Sequence, residues 1–572
     1  MPILLHAIKL ELPWIIILVT VAFASPRLGA RWFLRAERLL GRLSALPKRA
    51  VILCGTSAFL AAAGFTLLVG LPLPGVADEF SYLLAADTFA HGKLTNPAHP
   101  LWPFFETLHV IVRPTYMSKF PLGQGMALAL GQVLTGYPIV GEWICAGLAA
   151  AAICWMLYAW LPPRYAVLGG LVTAIHPLFL EWGHNYWGGL VALLGGALAT
   201  GGFRCIVDRA DTIDGWMMGL GIAILGFSRP YEGFELSVML LAAITWFFWT
   251  RPVVPAKLWI WRCVTPIVIS VALFAVVTMT YNWTVTGSAV LLPYTVHEQQ
   301  YDPAPVFLWR PIRTVAPYHH AEIRSYYENY VLPHFLEQRT LRGAVRAYTD
   351  KMGNIIVRYV FPLSMLVFLV PLPCAVGRDR WILLSLLILG VFFLTLFVNV
   401  SIFPHYAAPF APIGLFVLLQ GMRGLRSWRR KNRPVGRTIA RLVIVTCFVG
   451  AIASIAAQVR NRYTESDSAW YVQRARIQDR LRRVPGDNLV LVRYTTRHNI
   501  HAEWVYNEAD IDRSRVVWAH EMDEQSNQTL FRYYRSRRIW LLLADSRPPK
   551  LIPYPETGPS RVDFTAPGSP RK

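Results

Sequence analysis

Asp78 and Glu79 form an adjacent acidic pair in Pro74-Gly75-Val76-Ala77-Asp78-Glu79-Phe80-Ser81-Tyr82, directly after an apolar stretch of bilayer-spanning length. Carboxylates at a membrane boundary cost energy unless they are hydrated, paired or put to use. Either the pair starts a juxtamembrane helix, whose dipole it complements, or it belongs to a reaction site. A second group of reactive side chains lies at 285–353: His297, Glu298, Asp302, Arg310, Arg313, His319 and His320, interleaved with Tyr294, Tyr301, Trp309 and Tyr318. Aromatic rings with Arg suit sugar faces and phosphate, and the same Trp and Tyr also serve as interfacial anchors. His405 beside Tyr406 stands at the mouth of a late apolar block, whereas the lone His176 reads as a packed, hydrogen-bonded histidine.

The elements that must position these residues are membrane helices. Of 572 residues, 54% are apolar and 16% charged, against about 45–50% and about 25% in soluble domains. The apolar residues fall into about eleven blocks of near-spanning length: 50–71, 138–160, 164–180, 184–205, 215–228, 232–250, 262–284, 354–374, 381–400, 406–422 and 438–458. The stretch 13–24 is an extra span, an interfacial helix or an uncleaved signal-like segment. The stretch 122–136 makes only about 22 Å of helix and is placed at the interface. The expected fold class is a polytopic α-helical membrane protein with about 11–13 transmembrane helices.

A net charge of +22 raises the question of nucleic acid, but the basic residues sit between apolar blocks. One run reaches from Arg27 to Arg49 with Glu37 as its single acid, and another from Arg423 to Arg441 has none. Short basic loops of this kind stay cytoplasmic, so the charge reads as topology and no nucleic-acid partner is expected. With Arg49 inside, strict alternation places every other basic connection inside and leaves 72–137, 285–353 and everything after 459 outside. The seven cysteines fall in or beside apolar blocks, with no disulfide framework, CxxC pair or zinc spacing. Three regions are expected: 1–49, an apolar segment with a basic stretch; 50–458, the membrane module; and 459–572, a small α/β domain. Strand-like runs at 489–494, 516–519 and 539–544 surround a helical pattern at 523–537 in the last of these, and no nucleotide-binding glycine motif is present.

The pattern D-E-x-x-Y-x-x-A at Asp78, Glu79, Tyr82 and Ala85, a following Gly92, and Tyr116-Met117-Ser118-Lys119-Phe120-Pro121-Leu122 resemble the first periplasmic loop of GT-C glycosyltransferases. The likeness is to family 39, which contains protein O-mannosyltransferases and lipid A aminoarabinose transferases. Leu161-Pro162-Pro163-Arg164 leading to His176-Pro177-Leu178-Phe179-Leu180, Ser228-Arg229-Pro230, and Pro404-His405-Tyr406-Ala407-Ala408-Pro409-Phe410-Ala411-Pro412 match in order and sidedness. Together they cover 50–460. At one position the chain departs from the family, which carries an Asp where this sequence reads His184-Asn185-Tyr186-Trp187-Gly188-Gly189. Glu181, His184 or Glu232 replaces that carboxylate, or the acceptor chemistry differs.

The resemblance implies a GT-C fold and transfer of a sugar from a polyprenyl-phosphate donor to an acceptor glycan, lipid or protein, with inversion. Asp78 would accept the acceptor hydroxyl's proton. Glu79 would orient Asp78 or help it hold a divalent cation, Mg or Mn, through hard oxygen ligands; no motif requires a cofactor. Lys119 and Arg229 would meet the charge on the departing lipid phosphate. Tyr82, His184, Glu232, His297, His405 and Tyr406 are candidates for substrate binding. The expected location is the inner (plasma) membrane, with membrane lipid as neighbour and an extracytoplasmic active site and C-terminal domain. Two other functions stay open. A transporter or flippase for a lipid-linked glycan needs charges near the bilayer midplane, where the blocks hold few; a non-catalytic scaffold would fit the missing Asp.

Overall fold

In a computed structural model of the chain, residues 2–464 and 468–555 are described. The protein is a multi-pass helical membrane protein. Among the described residues eight helices are long and apolar enough to cross a bilayer: Leu4–Ala24, Pro47–Val69, Ile139–Trp160, Leu190–Arg209, Pro230–Thr250, Ala256–Thr286, Pro404–Ser427 and Val435–Asn461. Thr212–Ser228 and Arg380–Thr395 are shorter apolar helices. The ambiguous N-terminal stretch is thus part of a helix of spanning length, and its Leu18 and Ala22 are buried in the largest apolar core.

Three expected spans are corrected by backbone chemistry. The block 354–374 is not one rod: helix Leu341–Tyr359 and turn Leu363–Leu369 are bent by 96°. Phe361-Pro362 lies at the break, where proline removes a donor and restricts the residue before it. The block 184–205 becomes helical only at Leu190, because Gly188 and Gly189 adopt positive φ, 92° and 124°. A side chain at Gly189 would also strike the Trp182 ring. The loop 183–189 is therefore free to reach sideways. The block 164–180 likewise breaks at His176, whose Nδ1 accepts from Leu178 N as a cap while Nε2 meets the Tyr359 carbonyl at 3.2 Å.

The basic connections gather at one end. Glu37, the lone acid of the first basic run, accepts from Arg426 and Arg441 at 2.9 and 3.1 Å, and the Arg164 guanidinium lies against Gly41. Helix Ala30–Ser44 is amphipathic and leaves Trp32 and Leu39 exposed. Helix Leu122–Thr135 is short, with Gly125 against Ala85, Gly131 against Gly141, and Val133 and Leu134 exposed.

The C-terminal α/β pattern is present. Strands Asn488–Arg493, Val516–His520 and Arg538–Leu543 pair in parallel with the first of them in the middle, and Lys550–Pro553 adds antiparallel to the third. Helix Glu524–Tyr533 covers the sheet with Leu530. Of the expected domain 459–572, residues 465–467 and 556–572 lie outside the described residues. The sheet packs on loop 72–137 through Phe80, stacked on Tyr506 at 4.1 Å, through Tyr116 OH donating to Asn507 O, and through Asp87 accepting from Ala509 N.

Candidate active site

Helix Ala77–Ala90 begins the loop after the second spanning helix and carries Asp78 and Glu79 in its first turn. The two acids point to different tasks. Glu79 is buried, and its oxygens accept from Gly75 N at 2.8 Å and Tyr186 N at 3.1 Å. It ties the start of its own helix to loop 183–189. Burial pushes its carboxyl above the usual range, against those backbone donors.

Asp78 faces a cleft of about 590 Å³. Its Oδ1 is hydrogen-bonded to His109 Nδ1, and its Oδ2 accepts from the Trp187 indole N–H at 2.6 Å. Burial opposes ionisation here, but His109, Lys119 and the indole outweigh it and hold the carboxyl well below the usual range. His109 has φ of 63°, a left-handed conformation that is strained for a non-glycine residue. Its carbonyl accepts from Ser81 Oγ at 2.6 Å and Lys119 N at 3.3 Å, which pins the ring against Asp78. Since Nδ1 donates to the carboxylate, Nε2 carries the lone pair; it lies 3.5 Å from Tyr326 OH. Burial, then the Lys119 charge, lower the His109 pKa against the pull of Asp78.

Lys119 is buried and also lines the cleft, with Nζ 5.0 Å from the Tyr294 ring centre and 5.3 Å from that of Phe120. Burial lowers its pKa, while Asp78, Asp302 and Glu298 support the charged form. Asp302 is a second carboxylate on the cleft wall, which Tyr326, Tyr327, Tyr330, Tyr406 and, from the C-terminal region, His501 complete. Arg229 stands behind that wall, its guanidinium 4.2 Å from the Tyr406 ring centre, and Glu232 is buried on the next turn. Tyr82 is buried beneath, stacked on Phe120 at 4.6 Å.

The structure thus brings Asp78, Lys119 and Tyr406 to one cleft, with Arg229 and Tyr82 immediately behind. His405 packs on Trp187 at 5.1 Å. His297 lies behind His109, at 6.1 Å between ring centres, with Nε2 near Tyr327 OH. His184 turns away to Thr66 Oγ1 at 3.1 Å, and Glu181 is held by Arg358 in a two-point pair. Neither His184, Glu181 nor Glu232 lines the cleft. In the 285–353 cluster, Arg313 pairs with Glu298 at 2.9 Å and His319 with Glu106 at 2.8 Å. His109 and Tyr326 were not singled out by sequence reasoning: no motif marks them, and only the chain's return brings them to Asp78.

The carboxylates of Asp78 and Glu79, the expected holders of a divalent ion, are both engaged by the chain itself. All four carboxylate oxygens have donors, from His109, Trp187, Gly75 and Tyr186, and the Lys119 cation stands alongside. Next to the cleft lies an apolar cavity of about 430 Å³ within the bundle, lined by side chains such as Val172, Leu193, Leu389, Phe393 and Leu418. Ala407 lines the cavity and its neighbour Tyr406 lines the cleft, both on the turn Pro404–Phe410.

No family model and no curated protein matches the chain. Among solved structures it is similar to the Archaeoglobus fulgidus oligosaccharyltransferase in the apo form, with 12% identity, a TM-score of 0.49, and 87% of this chain and 69% of that one covered. It is also similar to ArnT from Cupriavidus metallidurans bound to undecaprenyl phosphate, with 13% identity, a TM-score of 0.42, and 84% and 88% covered.

Proposed function

We propose that the protein is a GT-C-type glycosyltransferase that moves a sugar from a polyprenyl-phosphate donor to an acceptor on the extracytoplasmic side of the plasma membrane, with inversion. The observation that carries this reading is a charged cleft, holding Asp78, His109 and Lys119, with a separate apolar cavity beside it inside the membrane bundle. A lipid-linked sugar needs both: an apolar slot for the prenyl chain and a polar chamber for sugar and phosphate. The order of the family-like motifs and the gathering of basic connections at the other end support the same assignment and its orientation.

In this reading the acceptor hydroxyl lies against His109 Nε2. As its oxygen attacks the sugar's anomeric carbon, the proton passes to Nε2, and the anomeric carbon–phosphate oxygen bond breaks. Asp78 keeps the imidazole in the receptive tautomer and stabilises the imidazolium, a positioning task of the kind an aspartate performs in a catalytic triad. Asp78 therefore acts through His109. Lys119 meets the negative charge that develops on the departing lipid phosphate. The tyrosines of the wall offer ring faces and hydroxyls to the sugar, and Glu79 sets the position of both Asp78 and loop 183–189.

The test is turnover by purified protein reconstituted in vesicles, supplied with polyprenyl-phosphate hexoses or pentoses and candidate acceptors. Release of polyprenyl phosphate by wild type and its loss in Asp78→Asn supports the assignment. Donor binding with transport and no bond cleavage would establish a flippase instead, and failure of every prenyl-phosphate sugar to bind would remove the donor class.

A further inference from the structure

Away from the cleft, a second cluster of buried donors joins two distant parts of the chain. His320 and Glu322 come from loop 285–353, and His520 ends strand Val516–His520 of the C-terminal sheet. The imidazoles of His320 and His520 are stacked, with centres 4.0 Å apart and planes at 19°. A donor atom from each of the three residues lies within 4.8 Å of the other two. His520 is 1% exposed and Glu322 13%, so this is an interior arrangement.

The hydrogen bonds around the rings decide which nitrogens are free. His320 Nε2 is 2.6 Å from the Pro103 carbonyl oxygen, and His520 Nε2 is 2.8 Å from that of Glu106. A carbonyl only accepts, so both Nε2 atoms donate and both Nδ1 atoms are left with lone pairs in the neutral rings. Histidines that bind metals are oriented in this way, with the second nitrogen donating to a backbone carbonyl. His520 Nδ1 lies 2.7 Å from Glu322 Oε1. Two donors on one tetrahedral zinc-class ion, each about 2.0–2.2 Å from it, stand roughly 3.3 Å apart, inside the spread seen here.

The neighbouring carboxylates are already engaged. Glu106 accepts from Tyr301 OH and pairs with His319, each at 2.8 Å. Glu503 Oε1 accepts from Tyr494 OH and Val505 N. Glu322 is thus the carboxylate left to face the two rings.

We propose that His320, Glu322 and His520 bind a zinc-class divalent cation that fastens loop 285–353 to the C-terminal sheet. Two imidazole nitrogens, one carboxylate oxygen and a water complete a tetrahedral set. The clamp is structural. One helical turn beyond Glu322 stands Tyr326, which lines the cleft beside His109, so the ion steadies that wall without touching substrate. The site is separate from Asp78 and Glu79, and its occupancy does not depend on the reaction assigned to the cleft.

The test uses the full-length protein in detergent, stripped with a chelator and then equilibrated with zinc or cobalt(II). Elemental analysis should find one equivalent of metal on wild type, and cobalt should give the visible absorption of a tetrahedral site. Glu322→Gln and His520→Gln should each lower bound metal by about tenfold or more, while His319→Gln, next in sequence but outside the set, keeps one equivalent. A chelator should lower the melting temperature of wild type and of His319→Gln and leave that of Glu322→Gln unchanged. Wild type that takes up no metal at saturating zinc overturns the proposal and leaves a proton-linked histidine–glutamate pair. Retention of one equivalent by both ligand variants overturns it equally, and that comparison stands even if one of them folds poorly.

Discussion

The Trp187 indole donates to Asp78 Oδ2 at 2.6 Å, in the stretch where the family resemblance leads to a second aspartate. Here a neutral donor, and not a second negative charge, faces the Asp78 carboxylate. In the proposed reaction the carboxylate so held stays fixed, and receiving the proton falls to the histidine on its other oxygen. Trp187→Phe keeps an aromatic, if smaller, ring against His405 and removes the N–H. A hydrogen bond to a charged group contributes about 1.5–3 kcal/mol, so turnover should fall roughly ten- to hundredfold with the melting temperature little changed. Wild-type turnover in this variant would show that the indole does not hold the carboxylate.

If Asp78 and His109 act as one unit, their losses should not add. Asp78→Asn and His109→Gln should each lower turnover by about 10²–10⁴-fold, and the double variant should be scarcely worse than the weaker single one. Multiplying effects in a rate measurement on all three would separate the two residues and return the base role to Asp78 alone.

The pH profile gives a sign that can be checked. Burial and Lys119 depress the His109 pKa, so the acid limb of kcat/KM should fall below the ordinary histidine range. Lys119→Met removes a nearby positive charge. The protonated ring becomes easier to form, the His109 pKa rises, and the limb moves to higher pH. Its position is read separately from the plateau, which should also drop because the departing phosphate loses its cation. An unmoved limb would break the electrostatic link between Lys119 and the base.

The membrane class was legible because spanning helices need long apolar runs and no partner to announce themselves. Asp78, Lys119 and Tyr406 were legible within sequence motifs, and they meet at the cleft. His109 was not, because its role is created by a left-handed turn and by contact across 31 residues with Asp78. The bend at Phe361-Pro362 and the late helix start at Leu190 were hidden by hydrophobicity, which counts apolar residues and is blind to a missing N–H or a positive φ. Glu322 and His520 are 198 positions apart in the numbering and carry no spacing signal at all.

Glu79 should fail differently from Asp78. Its two oxygens accept from two backbone N–H groups, and Glu79→Gln turns one of them into a donor that faces a donor. A buried donor left unpaired costs about 1–3 kcal/mol, so thermal stability should fall, with any surviving folded enzyme retaining most of its turnover. A fully stable but inactive Glu79→Gln protein would instead place this carboxylate in the chemistry.

Gly414 gives access to the lipid question without touching a charged group. It lines the apolar cavity, and a Cβ built on it meets nothing within 4 Å. Leucine at this helical position gains about 1 kcal/mol of helix propensity over glycine and fills part of the void. Gly414→Leu should therefore fold at least as well as wild type while competing with a long prenyl chain for the same space. KM for a long-chain polyprenyl-phosphate sugar should rise by about tenfold or more, the loss of roughly two buried methylenes, and KM for a donor with a single short prenyl unit should stay as it was. An equal effect on both donors would mean that the cavity does not receive the lipid, and that the prenyl chain leaves the cleft by another face of the bundle.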